Sequence, residues 1–371
     1  MTVCGSAAHS HPNVLRLKWP ARGPVSYKEK LQTKQGEKRP GDLMIRRTIA
    51  IALLFISIST IILVPIFTFT PIGKRLFDGS TSTPTPTLKP FTPTPAPKPI
   101  PILTVKGTPS AITASEAILL DDDTGHILYE QNGERPVPMA STTKIMTALI
   151  AIQAGDLNTI VTIHQDAVNE VILNNGSNAK LHIGDRLTLR DLLYGLMLPS
   201  GDDAATAIAD TVGGSTANFV NLMNLFAYRL HLFQTHFINP DGLTYYDANG
   251  QPIPGHYTTP YDLVRLASYA MTIPIFAQIV RTQHYSLPAT SSHHSYTWDN
   301  TNLLLATYTG ATGIKTGFTL EAGECLVFSA TRSGHHLIGV VFHTIDATHR
   351  FSDARILLDW GFALPLLPPV P

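Results

Sequence analysis

The sequence is poor in cysteine and has no excess of either charge. Its two cysteines, Cys4 and Cys325, lie on opposite sides of a long apolar run, so no internal disulfide is expected. Basic and acidic residues both number 27, and the formal net charge of +0 argues against a general affinity for nucleic acid or for acidic partners. The 15 histidines include no H-E-x-x-H motif and no cysteine–histidine spacing typical of zinc, so we expect neither a metal nor another cofactor.

The N-terminal segment is basic and then abruptly apolar. Residues 1–48 are rich in lysine and arginine without a hydrophobic period, which predicts a disordered cytoplasmic segment. Residues 49–69 are almost wholly apolar and uncharged, and about 20 such residues span a bilayer as a helix. The run has no A-x-A-like cleavage site, so an uncleaved transmembrane anchor is favoured over a cleaved signal peptide. Because the basic flank precedes the anchor, the rest of the chain is expected outside the membrane, whether translation begins at Met1 or at Met44.

A linker rich in threonine and proline, residues 70–104, separates this segment from the globular part. Its alternation, as in Thr83-Pro84-Thr85-Pro86, is typical of a polyproline spacer. At ~3.1 Å per residue, roughly 30 residues would reach on the order of 90 Å. Residues 105–363 are globular in composition, and residues 364–371 form a short proline-rich tail. This order predicts a single-pass membrane protein whose folded domain works at a distance from its bilayer.

Hydrophobic periodicity in the globular part predicts strands first, then helices, then strands and a last helix. Strands are predicted at 115–120, 126–130, 324–330 and 336–342, and helices at 189–198, at 204–211, from Thr259 onwards and at 348–360. Strands at both ends of a helical middle section indicate an antiparallel sheet flanked by helices plus an all-helical subdomain, which is an α+β fold.

The run Met139-Ala140-Ser141-Thr142-Thr143-Lys144 places a serine and a lysine three residues apart at a predicted helix start. Positions i and i+3 share a helix face, so Ser141 Oγ and Lys144 Nζ are expected to point into one cleft. A lysine that is buried or lies near a second cation can take the serine proton. Free N–H groups at the helix start would also stabilise an oxyanion. The pattern predicts a nucleophilic serine with a lysine base.

A second short motif, Ser200-Gly201-Asp202, lies between two predicted helices. A serine exposed on such a connection can relay a proton between a base and a leaving group. Serine–glycine pairs also mark ordinary turns, so this motif gains meaning only from its companions.

The third motif, Gly313-Ile314-Lys315-Thr316-Gly317-Phe318, is typical of a strand edge that docks an anionic substrate. Lys315 supplies charge and Thr316 a hydroxyl, while Gly317 lets the substrate backbone approach closely. The Phe318 N–H would complete an oxyanion hole with the N–H of the serine in the first motif.

The order S-x-x-K, S-x-x, K-T-G resembles the signature of penicillin-binding proteins and serine β-lactamases. Within that group, the sequence around the motifs is similar to the D-alanyl-D-alanine carboxypeptidases, the low-molecular-mass penicillin-binding proteins. The resemblance extends from about Ser115 to Phe362 and implies a β-lactamase/transpeptidase-like fold. The stretches that carry it are Pro138–Thr147, Gly184–Thr188, Asn239–Leu243 and Gly313–Gly317.

The resemblance implies a role for each motif. Ser141 would attack the carbonyl between the two terminal D-alanines of a peptidoglycan stem peptide, and Lys144 would take its proton. Ser200 would pass a proton to the departing D-alanine, while Lys315 and Thr316 would hold the terminal carboxylate. Water would then hydrolyse the acyl-enzyme, whereas a β-lactam would mimic the D-Ala-D-Ala unit and be released slowly. The implied protein is a serine peptidase of the cell wall, held at the cell membrane.

The sequence departs from the family pattern at three places. The second motif usually ends in asparagine, whose amide donates to a substrate carbonyl; here it ends in Asp202, and an ionised carboxylate cannot donate. Asp202 could instead pair with Lys144 or Lys315, which would stabilise the ammonium form of a lysine and oppose its action as a base. Thr312 stands where relatives often carry an acid. Many relatives also continue into a β-rich domain, whereas this sequence stops soon after Trp360.

Three alternatives stay open at the level of sequence. A class A β-lactamase needs a glutamate base after the second motif, and residues 211–240 contain no acidic residue, which argues against that class. D,D-endopeptidase action on cross-links would use the same residues and depends on the shape of the groove. A non-catalytic module that binds the wall or senses β-lactams is disfavoured by the complete set of motif residues, but Asp202 leaves it open.

Overall fold

A computed structural model describes residues 102–367 of the chain. The predicted basic segment, the predicted anchor at 49–69, nearly all of the predicted linker and the end of the proline-rich tail lie outside these residues. Among the described residues, no single helix is both long enough and apolar enough to cross a bilayer. One sharply bent pair of helices, Pro260–Met271 with Pro274–Val280, passes on length and composition when taken together.

One five-stranded antiparallel sheet organises the described part of the chain. The strands in chain order are β1 (Ile102–Leu103), β2 (Glu116–Asp121), β3 (His126–Gln131), β4 (Ile160–Thr162), β5 (Arg186–Thr188), β6 (His284–Leu287), β7 (Tyr296–Asp299), β8 (Ala311–Thr319), β9 (Gly323–Arg332), β10 (His335–Thr344) and β11 (Leu366–Leu367). The main sheet has the order β3-β2-β10-β9-β8, and β1–β11, β4–β5 and β6–β7 form small two-stranded sheets. The edge strand β8 carries the third motif and pairs with β9, with Gly317 opposite Cys325.

Several helices begin after a residue whose side chain accepts a backbone N–H of the first turn. The helices in chain order are α1 (Lys144–Ala154), α2 (Gln165–Asn174), α3 (Leu189–Met197), α4 (Asp202–Gly213), α5 (Thr216–Arg229), α6 (Pro260–Met271), α7 (Pro274–Val280), α8 (Leu304–Thr307) and α9 (His349–Phe362). The Thr188 hydroxyl accepts the Asp191 N–H at 3.1 Å and the Thr259 hydroxyl accepts the Asp262 N–H at 3.1 Å. Each side chain thus satisfies one of the free N–H groups at the start of its helix.

The sheet separates two apolar cores, and alternate residues of its central strands contribute to each. On β2, Ile118 and Leu120 belong to the larger core, whereas Ala117 and Leu119 belong to the smaller one. The larger core joins the sheet to α1 and the helices around it, and the smaller core joins it to α9. Since successive strand residues point to opposite faces, burial of both faces explains the continuous apolar runs in these strands. Cys325 is fully buried.

Helix α1 is the centre of the larger core. Its residues from Lys144 to Ala151 are all buried, and α3, α4, α5, α6 and α7 pack around it. A helix with apolar residues on every face is stable only when neighbouring elements cover all of its faces. The turn before α1 packs against β8, so the first and third motifs meet where the helices adjoin the sheet. The prediction of an antiparallel sheet with helices grouped beside it is confirmed.

Candidate active site

Ser141 lies in a 3-10 turn, Ala140–Thr143, that leads directly into α1. This serine turn is tighter than the helix start that the sequence predicts: Ala140 has a left-handed backbone (φ 47°), and the Thr142 hydroxyl donates to a preceding carbonyl at 2.5 Å. Gly242 packs so closely on the turn that a Cβ there would lie 1.9 Å from the Ala140 carbonyl oxygen. Gly242 also has a φ of +97°, so both its backbone and its surroundings require glycine.

The Lys144 side chain is fully buried, and its Nζ has three oxygen partners. It donates to Ser141 Oγ at 2.9 Å, to Asp202 Oδ1 at 2.5 Å and to the backbone oxygen of Asp241 at 2.7 Å. The i, i+3 spacing therefore brings serine and lysine within hydrogen-bond distance, as predicted. Of the two pairings that the sequence leaves open for Asp202, with Lys144 or with Lys315, the structure contains the first.

Ser200 and Asp202 lie at the junction of α3 and α4. Ser200 has a left-handed backbone (φ 68°), is 5% exposed, and its Oγ has no hydrogen-bond partner among residues 102–367. Asp202 is the first residue of α4, two residues earlier than the predicted helix start, and is 1% exposed. Its carboxylate is turned onto Lys144 rather than towards an open surface. The assignment of Asp202 as a substrate-binding residue, which the sequence motif implies, stays a prediction.

Strand β8 brings the third motif against the serine turn. A Cβ on Gly317 would lie 3.3 Å from the backbone nitrogen of Ser141, so glycine permits the close approach of the two segments. The Thr316 hydroxyl shares a hydrogen bond of 2.6 Å with a neighbouring threonine. Lys315 is 1% exposed and its Nζ donates to the Thr316 backbone oxygen at 3.1 Å, whereas the Phe318 side chain is exposed.

Burial and neighbouring charges shift the protonation of several groups in this cluster. Burial, together with the positive charge of Lys144, holds the pKa of Lys315 well below its usual range, against the opposing effect of Asp202. Burial, reinforced by the negative charge of Asp202, raises the pKa of the Asp241 carboxyl to about 8. Burial also raises the pKa of Glu170. The raised pKa favours the protonated form of the Asp241 carboxyl.

The sequence analysis did not identify His256, whose side chain is hydrogen-bonded to the serine turn at Thr143. Its Nδ1 accepts the Ile238 N–H at 3.1 Å, and this bond assigns the proton to Nε2, which donates to Thr143 Oγ1 at 2.7 Å. The Thr143 hydroxyl in turn donates to the Ala140 carbonyl at 2.7 Å. Burial lowers the pKa of His256 to about 3, so the ring is neutral. Nothing in the sequence distinguishes this histidine, whereas Asn239–Leu243, which supplies the glycine and the carbonyl of the site, belongs to the resemblance.

Three comparisons with known proteins agree on one family. The model of the D-alanyl-D-alanine carboxypeptidase family matches residues 103–346. The D-alanyl-D-alanine carboxypeptidase of Streptomyces sp. (strain K15) is 41% identical over 269 residues, which cover 69% of this chain and 90% of that protein. The D-alanyl-D-alanine carboxypeptidase DacF of Bacillus subtilis (strain 168) is 33% identical over 251 residues, which cover 67% of this chain and 62% of that protein.

The fold gives the same result as the sequence comparison. The crystal structure of the Streptomyces K15 DD-transpeptidase matches with a TM-score of 0.65 at 39% identity, and the match covers 70% of this chain and 100% of that one. An identity of this size over nearly the whole of a relative, with a family match over more than half of the chain, leaves one conclusion. The chain belongs to the D-alanyl-D-alanine carboxypeptidase family.

Proposed function

We propose that Ser141 is the nucleophile of this serine-type D-Ala-D-Ala carboxypeptidase and that Lys144 is its base. The observation that carries the proposal is the 2.9 Å hydrogen bond between Lys144 Nζ and Ser141 Oγ, made by a lysine with no exposed side-chain surface. Attack on the carbonyl between two terminal D-alanines would form an ester on Ser141 and release D-alanine. Water would then hydrolyse the ester and restore the serine.

The proposed substrate is the peptidoglycan stem peptide, which ends in a free carboxylate. Lys315 and Thr316 would hold that carboxylate, since Gly317 places β8 directly against the serine turn. Burial and the charge of Lys144 lower the pKa of Lys315, and a bound anion would raise it again. Substrate binding would thereby favour the charged form of Lys315.

The remaining motif residues complete the proposed chemistry. The backbone N–H groups of Ser141 and Phe318 would form the oxyanion hole. Ser200, whose buried Oγ has no partner among the described residues, would pass a proton to the leaving amine of D-alanine. A β-lactam would take the place of the D-Ala-D-Ala unit and acylate Ser141.

The alternatives from the sequence are less well supported. The curated relatives described above are named carboxypeptidases, which supports hydrolysis of terminal D-alanine over D,D-endopeptidase action. A module that only binds the wall needs no base on its serine, so the Ser141–Lys144 hydrogen bond argues against that alternative. A sensor acylated by β-lactams would use the same pair, and the experiment below separates it from an enzyme.

The proposed location is the cell membrane, with the folded domain on the outer side. The support comes from the sequence: the apolar run at 49–69, the basic flank before it and the threonine- and proline-rich linker after it. A folded domain on such a linker would reach peptidoglycan at a distance from the bilayer.

The proposed function is tested with the full-length chain in detergent. A peptide ending in Lys-D-Ala-D-Ala is incubated with the wild type and with Ser141→Ala, and free D-alanine is measured. A fluorescent penicillin is used in parallel to label the serine. We expect D-alanine release and labelling from the wild type and neither from the variant. Labelling without release would support the sensor, and failure of both in the wild type would contradict the proposed function.

A further inference from the structure

The three hydrogen bonds of Lys144 use every proton of its ammonium group. A charged lysine has three N–H donors and no lone pair. Its partners are Ser141 Oγ, Asp202 Oδ1 and the backbone oxygen of Asp241. In this state Lys144 donates to the serine and cannot accept a proton from it. Lys144 becomes a base only after one of its own protons has moved to another group.

Of the three partners, one can keep that proton. Ser141 Oγ is the atom that must itself lose a proton, and the Asp241 partner is a backbone carbonyl, which is not basic. Asp202 offers a carboxylate 2.5 Å from Nζ, and its second oxygen, Oδ2, is buried without a hydrogen-bond partner in the described part of the chain. An asparagine, the residue that the family pattern favours at this position, has an amide that cannot take the proton.

The other titratable groups around Asp202 do not compete for the role. They are Lys144, Asp203, Glu170, Asp241, Tyr245 and Lys315. Burial raises the pKa of Glu170, of Tyr245 and of Asp241, which favours their protonated forms. Asp203 accepts three backbone N–H groups of its own and is bound away from Lys144. Asp202 is therefore the carboxylate in direct contact with the lysine.

We infer that Asp202 is the terminal proton acceptor of the acylation step and that Lys144 passes the serine proton to it. The inference rests on the proposed roles of Ser141 and Lys144. A Lys144 proton moves to Asp202 Oδ1, and the lone pair freed on Nζ takes the proton of Ser141 as Oγ bonds to the carbonyl carbon. The negative charge thereby moves from the carboxylate to the tetrahedral oxyanion.

Collapse of the tetrahedral intermediate reverses the proton movement. As the C–N bond breaks, the proton held by Asp202 returns to Lys144, and a Lys144 proton passes to the leaving amine through Ser200. The amino group of D-alanine then departs as the neutral amine, and the pair is again ammonium and carboxylate. No proton has to be exchanged with solvent before the ester is formed.

The test compares the pH dependence of Ser141 acylation in the full-length wild type and in Asp202→Asn. The rate constant for labelling by a fluorescent penicillin is measured from about pH 5 to about pH 9. The variant must start from a neutral lysine, so its acidic limb is expected at higher pH than that of the wild type. Below that limb its rate should fall about tenfold per pH unit, so its deficit grows as the pH is lowered.

Two variants serve as controls. Asp210→Asn makes the same change on the same helix, at a side chain that accepts from the Thr216 hydroxyl, and should leave the profile unchanged. Asp202→Glu keeps an acid at the position and should keep the acidic limb at low pH even if acylation is slower.

Coincident pH profiles of wild type and Asp202→Asn, or a variant that is faster at every pH, would overturn the inference. A second measurement needs no variant. If one proton moves from Ser141 to Lys144 while another moves from Lys144 to Asp202, the wild-type acylation rate should depend on the fraction of deuterated water along a curve. A linear dependence would overturn the inference as well. Absence of any labelling of wild-type Ser141 contradicts the proposed function instead, so the two failures are distinguishable.

Discussion

At the residue scale, Gly242 packs against the serine turn at a position that leaves no room for a side chain. We expect Gly242→Ala to lower the free energy of unfolding by about 3 kcal/mol or more and to abolish penicillin labelling, because its Cβ would collide with the Ala140 carbonyl. Urea unfolding and labelling measure the two effects. Gly250→Ala is the matched control: its φ of +73° is also left-handed, but nothing lies within 4 Å of the added Cβ. That variant should lose only about 1 kcal/mol and keep its activity. Equal losses in the two variants would contradict the packing argument.

His256 makes the stability of the enzyme depend on pH. Its pKa is about 3 in the folded chain and is expected near 6.5 when the chain unfolds, so the unfolded state binds the extra proton between these values. Stability should therefore fall as the pH decreases below about 6, by about 1.4 kcal/mol per pH unit from this residue. In His256→Gln this part of the slope should disappear. Urea unfolding of both proteins from neutral to mildly acidic pH measures it, and parallel slopes would contradict the assignment.

Site residues could be predicted where they stand in an ordered motif, whereas His256, outside any motif, and groups that act through the backbone could not. Ser141, Lys144 and Lys315 stand in short motifs with a recognisable order, so the sequence identified them. The partner of Asp202 was left open because two lysines were equally available in sequence and only distance separates them. The Asp241 contribution is a backbone carbonyl, which any residue would supply, so no sequence signal marks it.

At the scale of elements, the loop between α2 and β5 is held by α4. Asp203 accepts the N–H groups of Ala179 (2.9 Å) and Leu181 (3.0 Å), and the Trp298 indole donates to the Ala179 carbonyl at 2.8 Å. The same helix start carries Asp202, whose backbone N–H donates to this loop at the Ser177 carbonyl. The loop therefore helps to fix the helix end that presents Asp202 to the lysine.

Asp203→Asn tests this connection between loop and helix. The amide would turn one N–H donor towards a backbone N–H, so we expect a loss of about 2 kcal/mol of stability and weaker penicillin labelling at unchanged pH dependence. Asp210→Asn, on the same helix, is the control and should lose little of either. A fully active and stable Asp203→Asn would show that the loop needs no such anchor.

Elements were predictable where burial was strong. The strands β2, β9 and β10 contain continuous apolar runs because both faces of the sheet are covered, and α3 and α6 begin at recognisable caps. The hairpin β6–β7 was missed because its strands are four residues long and partly exposed. The serine turn was taken for a helix start because a 3-10 turn and an α-helix differ in backbone angles, not in hydrophobic pattern.

At the scale of the whole molecule, the proposed anchor can be separated from the proposed chemistry. Deletion of residues 1–69 should move the chain from the membrane fraction to the soluble fraction without changing the acylation rate in detergent. Deletion of residues 2–43, which keeps the apolar run, should leave it in the membrane fraction. Cell fractionation and penicillin labelling measure both properties, and a full-length chain found in the soluble fraction would contradict the anchor.

The site draws its parts from distant points of the chain. Ser141 comes from the turn before α1, Asp202 from α4, Asp241 from a loop and Lys315 from the edge of the sheet. These segments meet where the larger core joins the sheet to the helices, and the smaller core supports the opposite face of the same sheet. Acylation of Ser141 is thus a readout of complete assembly: a chain with either core unformed would have a serine but no reactive one. Covalent labelling by a β-lactam would therefore detect only completely folded molecules. The labelling yield after refolding would measure how cooperatively the sheet and the helices assemble.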